Sequence, residues 1–477
     1  MGAQVVGEGW ANVSGESGKK SGNLAARRHR STVIGLSAAV VIVLVCAVVA
    51  AVIVVRSGPG DPIVAAPPAA VTADPGVQPV PEDTAPPSRE ALAAALAPVV
   101  ANPALGTLTG VVSDAETGEI LWSQGESQPM IPASTTKLLT AAAALLTLEL
   151  DSRVETTVVA GAEPGSIVLV GTGDPTITSL PPDRDGYYPG AAHLTDVVEQ
   201  IRASGTEVTS VAVDTSRYTG SPMAQGWLPE DVGAGFITPT EPVMIDGGRA
   251  DPAVDASPRS PAPALDAAKA LASALGVPPE SVGTGTAPDG AQVLATVQSA
   301  PLRDRLLQMM EHSDNVLAES IGREVAMHTG RPASFDGATD AVLGALADAG
   351  LDTGGAVLHD TSGLSVDNRL SAGLLDAVLT EAVGDDLPAL RPMLDYLPVA
   401  GATGSLSERY ATDGRVGAGW VRAKTGTLSE ASGLAGYVVD SSTRVLAFAL
   451  MSNGTSPDVS RPALDAVAAT LRTCGCE

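Results

Sequence analysis

With 477 residues the chain is long enough for about three domains of ordinary size, so a short peptide or a small disulfide-stapled scaffold is excluded. Acidic residues outnumber basic ones 54 to 28, for a net charge of -26, and no Lys/Arg-rich run follows the first 30 residues. A nucleic-acid partner is therefore not expected, because phosphate binding needs a concentrated positive footprint. Hydrophobic residues make up 44% of the chain and aromatics only 3%, much of the apolar share being Ala and Val, which excludes wholesale disorder.

Residues 33–55 read VIGLSAAVVIVLVCAVVAAVIVV without a charge, and at about 1.5 Å per residue a helix of that length crosses a bilayer. Lys19, Lys20, Arg27, Arg28 and Arg30 precede the run and only Arg56 follows closely. The positive-inside rule then predicts a single membrane anchor, with residues 1–32 as a cytoplasmic tail and the rest of the chain outside the cell. The run is longer than the apolar region of a cleaved signal peptide and lacks a small-residue site after it. Residues 56–88 contain nine prolines and no hydrophobic periodicity, and read as a semi-extended linker. Cys474 and Cys476 are the two cysteines beyond the anchor; their spacing leaves open an intrachain bridge, a link to another chain, or a plain exposed tail.

The globular pattern begins at Ser88, where SREALAAALAPVV reads as a capped helix. Residues 108–113 and 120–123, joined by a turn over 114–119, have the pattern of a β-hairpin. From Ser134 the segment STTKLLTAAAALLTLEL has a serine at a helix start and an almost wholly apolar continuation, which predicts a buried helix with an exposed first turn. Residues 151–260 mix short Val/Ile/Thr strands with Gly/Pro loops and a helical stretch at 195–204, and read as an inserted α+β subdomain. A long helical stretch at 302–329, interrupted near Ser313, and a helix at 370–383 follow. Strands at 419–427, 433–439 and 444–451 and a helix at 459–472 close the chain. The simplest assembly is a domain of residues 89–150 and 261–477, its sheet packed between helices from both ends of the chain and interrupted by the 151–260 insertion.

Only five lysines occur, and Lys137, Lys269 and Lys424 are the three beyond the anchor. A surface positive charge can be lysine or arginine, but a general base must lose its proton near neutral pH, which a buried lysine does and an arginine does not. Lys137 lies three residues after Ser134, one helical turn away, so its amine can reach the serine hydroxyl. Lys424 opens Lys-Thr-Gly-Thr on a predicted strand, where Gly426 removes the side chain that would stop a substrate backbone lying along it. Between them comes Ser313-Asp314-Asn315, in a helix-loop context, with an amide at Asn315 able to donate and accept toward a substrate amide. Lys269 sits among Ala and Asp and reads as a surface residue. The five histidines are far apart and no His-Glu-x-x-His or paired-cysteine pattern exists, so neither metal nor cofactor is expected.

The trio Ser134-Thr-Thr-Lys137, Ser313-Asp-Asn315 and Lys424-Thr-Gly-Thr427 resembles that of the penicillin-recognising serine enzymes. Longer stretches, Gly171-Thr-Gly-Asp-Pro175, Gly226-Trp227, His312-Ser-Asp-Asn-Val-Leu-Ala-Glu319, Asp360-Thr-Ser-Gly363 and Leu397-Pro-Val-Ala-Gly401, are similar to those of the D-alanyl-D-alanine carboxypeptidase/endopeptidase family. These are the class C low-molecular-mass penicillin-binding proteins of peptidase S13 type, and the likeness spans about 90–470. It implies an α+β, penicillin-binding-protein/serine β-lactamase-like transpeptidase fold: an antiparallel sheet flanked by helices, an all-helical part and an inserted subdomain. It also implies that Ser134 attacks the carbonyl between two D-alanines of a peptidoglycan stem peptide, that Lys137 takes its proton, and that Ser313 passes one to the leaving amine. Asn315 would hold the peptide amide, and Lys424, Thr425 and Thr427 the terminal carboxylate. The N–H groups of Ser134 and Thr427 would bind the oxyanion, and β-lactams would acylate the same serine. Trp227, with Glu230 or Asp231 and Phe236, would read the stem side chain, a plain core position for Trp227 being the other reading. Only 175 residues separate Lys137 from Ser313, fewer than in larger members, which implies that an accessory subdomain is missing between about 247 and 261.

Two competing functions use the same residues. A serine β-lactamase needs fast deacylation, and the Glu-x-x-Leu-Asn segment that activates water in the commonest of them is absent. A non-catalytic membrane-tethered scaffold would keep the fold without turnover, yet all polar motif residues are present.

Overall fold

The computed structural model describes residues 85–184 and 186–475. The predicted cytoplasmic tail and membrane anchor, and most of the linker, lie outside the described residues. Among the described residues no helix is long and apolar enough to cross a membrane.

Helix α1 (Arg89–Val100) starts at Ser88, whose hydroxyl accepts from Ala91 N, and buries Leu92 and Leu96. The predicted hairpin follows as β1 (Thr107–Asp114) and β2 (Ile120–Gln124), then α2 (Lys137–Thr147). The middle of the chain supplies β3 (Glu155–Ala160), β4 (Ser166–Val170), β5 (Asp174–Ile177), α3 (Leu194–Ala203), β6 (Ser210–Asp214) and α4 (Glu230–Gly233). After these come β7 (Val243–Ile245), α5 (Pro263–Leu275), β8 (Val282–Thr284) and β9 (Val293–Gln298). The last part holds α6 (Leu302–Glu311), α7 (Asn315–His328), α8 (Phe335–Asp348) and α9 (Ala372–Val383), followed by β10 (Val421–Leu428), β11 (Ala431–Val439), β12 (Val445–Asn453) and α10 (Pro457–Thr473).

The main sheet has the order β10-β11-β12-β1-β2 and is antiparallel throughout, β1 running along β12 from Thr107↔Asn453 to Asp114↔Leu446. Successive residues of these strands point to opposite faces. Leu446, Phe448 and Leu450 join Val112 in a core closed by Leu92 and Leu96 of α1 and Leu464 and Leu471 of α10. Ala447, Ala449 and Met451 join Val111 in a second core closed by α2 and by α6 to α9. Helices from both ends of the chain thus cover the sheet, as the sequence predicts. Inside the first core layer, the Arg444 guanidinium grips the buried Asp114 carboxylate at the end of β1.

A second sheet, β8-β6-β4-β3-β9, is mixed: β6 runs parallel to both β4 and β8, and β3 antiparallel to β4 and β9. It has its own core, with Val197 and Ile201 of α3 and Ala268 and Leu271 of α5. Its edge strands β8 and β9 and helix α5 all follow residue 260, so the inserted unit runs to about residue 299 rather than ending at 260. Residues 256–262, where the expected boundary falls, are a loop inside that unit.

Candidate active site

The serine turn is built by close packing. Ser134 lies in a 3-10 turn, Ala133–Thr136, that leads into α2, and Ala133 before it has φ 47°, a left-handed conformation rare outside glycine. Three glycines let neighbouring backbone crowd against it. A Cβ on Gly363 would lie 2.0 Å from Ala133 O, one on Gly426 2.7 Å from Pro132 O, and one on Gly433 2.8 Å from Thr135 Cγ2. Gly426 is therefore glycine because the serine turn packs on its strand, which corrects the expectation that it makes room for a substrate backbone.

The three sequence motifs converge. Lys137, fully buried, has Nζ 3.0 Å from Ser134 Oγ, and donates to Asn315 Oδ1 at 2.6 Å and to the Ser362 carbonyl at 2.7 Å. Burial pushes its pKa down to about 8, against the opposing fields of Asp360, Asp314 and Glu319. Lys424, also fully buried, donates to Ser313 Oγ at 2.8 Å and to Thr425 O at 3.0 Å. Burial, and then the nearby Lys137 amine, hold it well below the ordinary lysine value. Ser313 has φ 59° and Asn315 Nδ2 donates to the Phe236 carbonyl at 2.9 Å. The Thr425 hydroxyl is 2.7 Å from that of Ser405, a partner the sequence reading does not single out. Strand β10 is the last strand of the main sheet; its first half pairs with residues 398–400, and its Thr425 and Thr427 face a cleft of about 510 Å³ with Ser134, Ser313 and Asn315 on its walls. Leu228, Asp231, Phe236, Leu364 and Val366 are among the residues that complete that wall.

Trp227 is not part of it. Its indole is buried, packs edge-to-face on Phe335 at 5.1 Å, and donates Nε1–H to Asp360 Oδ2 at 2.7 Å. The expected substrate-binding role of Trp227 thus gives way to a core role, because the ring fills the space behind the cleft while its neighbours Gly226 and Leu228 face it. Asp360 also accepts from the N–H groups of Gly363 and Ser365 and from Asn368 Nδ2, and so fixes the loop whose Ser362 carbonyl meets Lys137. Glu319, on α7, holds the same loop from its other side through Thr361 N and Ser362 N; burial, then Asp360, raises its pKa to about 7. Both acids fall inside stretches quoted above, but only as turn or motif residues. Among the described residues no group of three His, Cys, Asp or Glu is placed to hold a metal ion. Cys474 is buried and disulfide-bonded.

A model of the D-Ala-D-Ala carboxypeptidase 3 (S13) family matches residues 92–260 and 253–474. The chain belongs to this family. It is 56% identical over 415 residues to the carboxypeptidase DacB of Mycolicibacterium smegmatis, covering 86% of this chain and 90% of that one. It is 30% identical over 463 residues to the D-alanyl-D-alanine carboxypeptidase of Actinomadura sp. strain R39, covering 78% and 83%. The crystal structure of penicillin-binding protein 4 from Haemophilus influenzae superposes with a TM-score of 0.64 at 23% identity over 79% of this chain and 97% of that one, and the same protein has been solved with a β-lactam. The fold is that of the penicillin-binding proteins, and the enzyme is a D-Ala-D-Ala carboxypeptidase.

Proposed function

We propose that this carboxypeptidase cuts D-Ala-containing bonds of peptidoglycan stem peptides through an acyl-enzyme on Ser134. The unprotonated Lys137 amine takes the Ser134 proton as Oγ attacks the carbonyl carbon between the two D-alanines. The oxyanion is met by the N–H groups of Ser134 and Thr427, each donor of this kind being worth roughly 3 to 4 kcal/mol in other hydrolases. Collapse breaks the C–N bond, and a proton passes from Lys137 through Ser313 Oγ to the leaving amine. Water then attacks the ester and releases Ser134. Asn315 binds the peptide amide, and Thr425 and Thr427 receive the terminal carboxylate. That carboxylate favours the protonated form of Lys424, which donates to Ser313 Oγ and the Thr425 carbonyl and which burial and the nearby Lys137 amine otherwise disfavour. An endopeptidase cut at a cross-link uses the same groups and differs only in what lies beyond the scissile bond.

One observation carries this reading: a fully buried lysine with a pKa near 8 sits 3.0 Å from the hydroxyl it would activate. The uncharged run 33–55 with its preceding basic residues supports a single-pass anchor with the enzyme outside the cell, and residues 56–88 a linker toward the wall. The test is the intact mass of the full-length chain after incubation with benzylpenicillin, beside Ser134→Ala. A persistent adduct of one penicilloyl group, lost in the variant, is the expected result. Intact drug and no adduct would refute the catalytic assignment, and consumed drug without adduct would assign a β-lactamase.

A further inference from the structure

The inserted unit touches the catalytic machinery through a buried ionic cluster. After β7 the chain passes through Asp246, Gly247 and Gly248 with φ of 54°, 62° and 75°, three consecutive left-handed residues, and reaches Arg249. Backbone of this kind persists only where its surroundings over-determine it. Here the Asp246 carboxylate accepts from Ser179 N at 3.0 Å and Ser179 Oγ at 2.6 Å, and Arg259 donates to the carbonyls of Gly247 at 2.6 Å and Gly235 at 3.1 Å. A Cβ on Gly247 would lie 2.3 Å from the Tyr188 hydroxyl and 2.9 Å from Nη1 of both Arg249 and Arg259.

The turn sends the Arg249 side chain into the protein. Its Nη2 lies 3.1 Å from Asp314 Oδ2, with both side chains wholly out of solvent. Its Nη1 donates to the Tyr188 hydroxyl at 2.8 Å, which donates in turn to the same Asp314 oxygen at 3.0 Å. The guanidinium stacks 3.5 Å over the Tyr187 ring, and that ring meets His312 edge-on. The other Asp314 oxygen accepts from Leu317 N at 2.8 Å and caps α7. Asp314 is thus held by its own helix on one side and by the insertion on the other, between Ser313 with its left-handed φ and Asn315.

We propose that Arg249, assisted by Tyr188, is a positioning residue for the reaction: through Asp314 it sets the loop that carries Ser313 and Asn315. The inference rests on the roles proposed above for those two side chains. Without the guanidinium, a buried carboxylate must take a proton or move toward water, and either displaces the loop. If it stays charged, its field on Lys137 is no longer offset, so the amine holds its proton to higher pH. The charged groups facing Lys137 are Asp314 ahead of α7, Glu319 on α7, Asp360 from the loop before α9, and Lys424 on β10.

The test compares acylation of the full-length chain by benzylpenicillin across pH in the wild type, Arg249→Met, Arg249→Lys and Tyr188→Phe, with thermal unfolding of each. A misplacement of about 1 Å costs on the order of 10²-fold in rate, so Arg249→Met is expected to acylate about 10 to 100 times more slowly, with its acid limb displaced: to higher pH where Asp314 keeps its charge, to lower pH where Asp314 takes a proton and its field on Lys137 is lost. Arg249→Lys restores the limb but only part of the rate, since an ammonium keeps the charge and loses the two-pronged geometry. Tyr188→Phe slows acylation with the limb in place. A purely structural role would lower the melting temperature and leave rate and limb unchanged. That outcome in Arg249→Lys and Tyr188→Phe overturns the inference, whether or not Arg249→Met folds. A wild type that is never acylated overturns the catalytic assignment instead, and is told apart by the absence of any adduct.

Discussion

Replacing Gly426 by alanine tests whether the strand and the serine turn must touch. The new Cβ would sit 2.7 Å from the Pro132 carbonyl oxygen, 3.2 Å from Ala133 Cβ and 3.3 Å from Ser134 N. Carbon and carbonyl oxygen tolerate an approach of about 3.3 Å, so a gap of roughly 0.6 Å has to open. The turn has little freedom to yield, because Gly363 backs Ala133 and Gly433 backs Thr135. Strand β10 therefore moves, carrying Lys424 away from Ser313 and Thr427 away from Ser134. Scaled from about 10² for a 1 Å misplacement, acylation by benzylpenicillin falls on the order of 10-fold or more. Overpacking costs about 1 to 3 kcal/mol of stability, read as a lowered melting temperature. Gly433→Ala is the comparison: its Cβ would lie 2.8 Å from the Thr135 methyl and 3.2 Å from the Pro132 carbonyl oxygen, a looser approach to backbone than at Gly426, so its acylation falls less. A second-order acylation rate for Gly426→Ala within twofold of wild type, at an unchanged melting temperature, would refute the packing argument.

Acylation needs the free amine of Lys137, whose pKa is about 8, so the rate is expected to drop about tenfold per unit below that pH. Glu319→Gln keeps an oxygen for the N–H groups of Thr361 and Ser362 but removes a charge that favours protonated Lys137, which shifts the acid limb to lower pH; a limb that stays put or rises would disprove the coupling. Asp376, on α9, accepts from Ser113 Oγ at 2.5 Å, and burial raises its pKa from 3.8 to about 7. A carboxyl raised on folding binds its proton more tightly in the native state, so it contributes stability at low pH that is lost as pH climbs through that window, by up to about 1.4 kcal/mol per unit. Asp376→Asn should flatten this dependence in urea titrations at several pH values, and an unchanged slope would show that another group carries it.

The chemistry was more legible in the sequence than its supports. Ser134, Lys137, Ser313, Asn315 and Lys424 stand out because a buried amine beside a hydroxyl is demanding chemistry and lysine is scarce beyond residue 56. The hairpin and the last three strands announce themselves by local alternation and turns. Arg249, Tyr188 and Ser405 carry no such mark: they act on residues distant in the chain, Arg249 on Asp314 and Ser405 on Thr425, and only the folded backbone brings each pair together. Trp227 shows the reverse limit, a conspicuous residue whose neighbours face the cleft while it does not. Helix α8 holds two glycines, which weaken a helix locally, and its Gly337 is fixed by packing, since a Cβ there would lie 2.0 Å from the Pro332 carbonyl oxygen. The end of the insertion is not legible in the sequence, because the pairing of β8 with β6 and of β9 with β3 joins segments far apart in the chain.

The pairing of β1 with β12 makes neighbours of the first and last strands of the globular chain. During synthesis the hairpin emerges long before its partner strand, and it waits with an unmatched edge and two uncovered faces. The inserted unit faces no such delay, because its sheet closes on strands from within 155–298 and its core is its own. Docking of β10, β11 and β12 against β1 is thus the event that brings Lys424 and Thr427 to Ser134. Assembly of the sheet also assembles the site, and a chain that stops before β10 has its nucleophile but neither Lys424 nor Thr427.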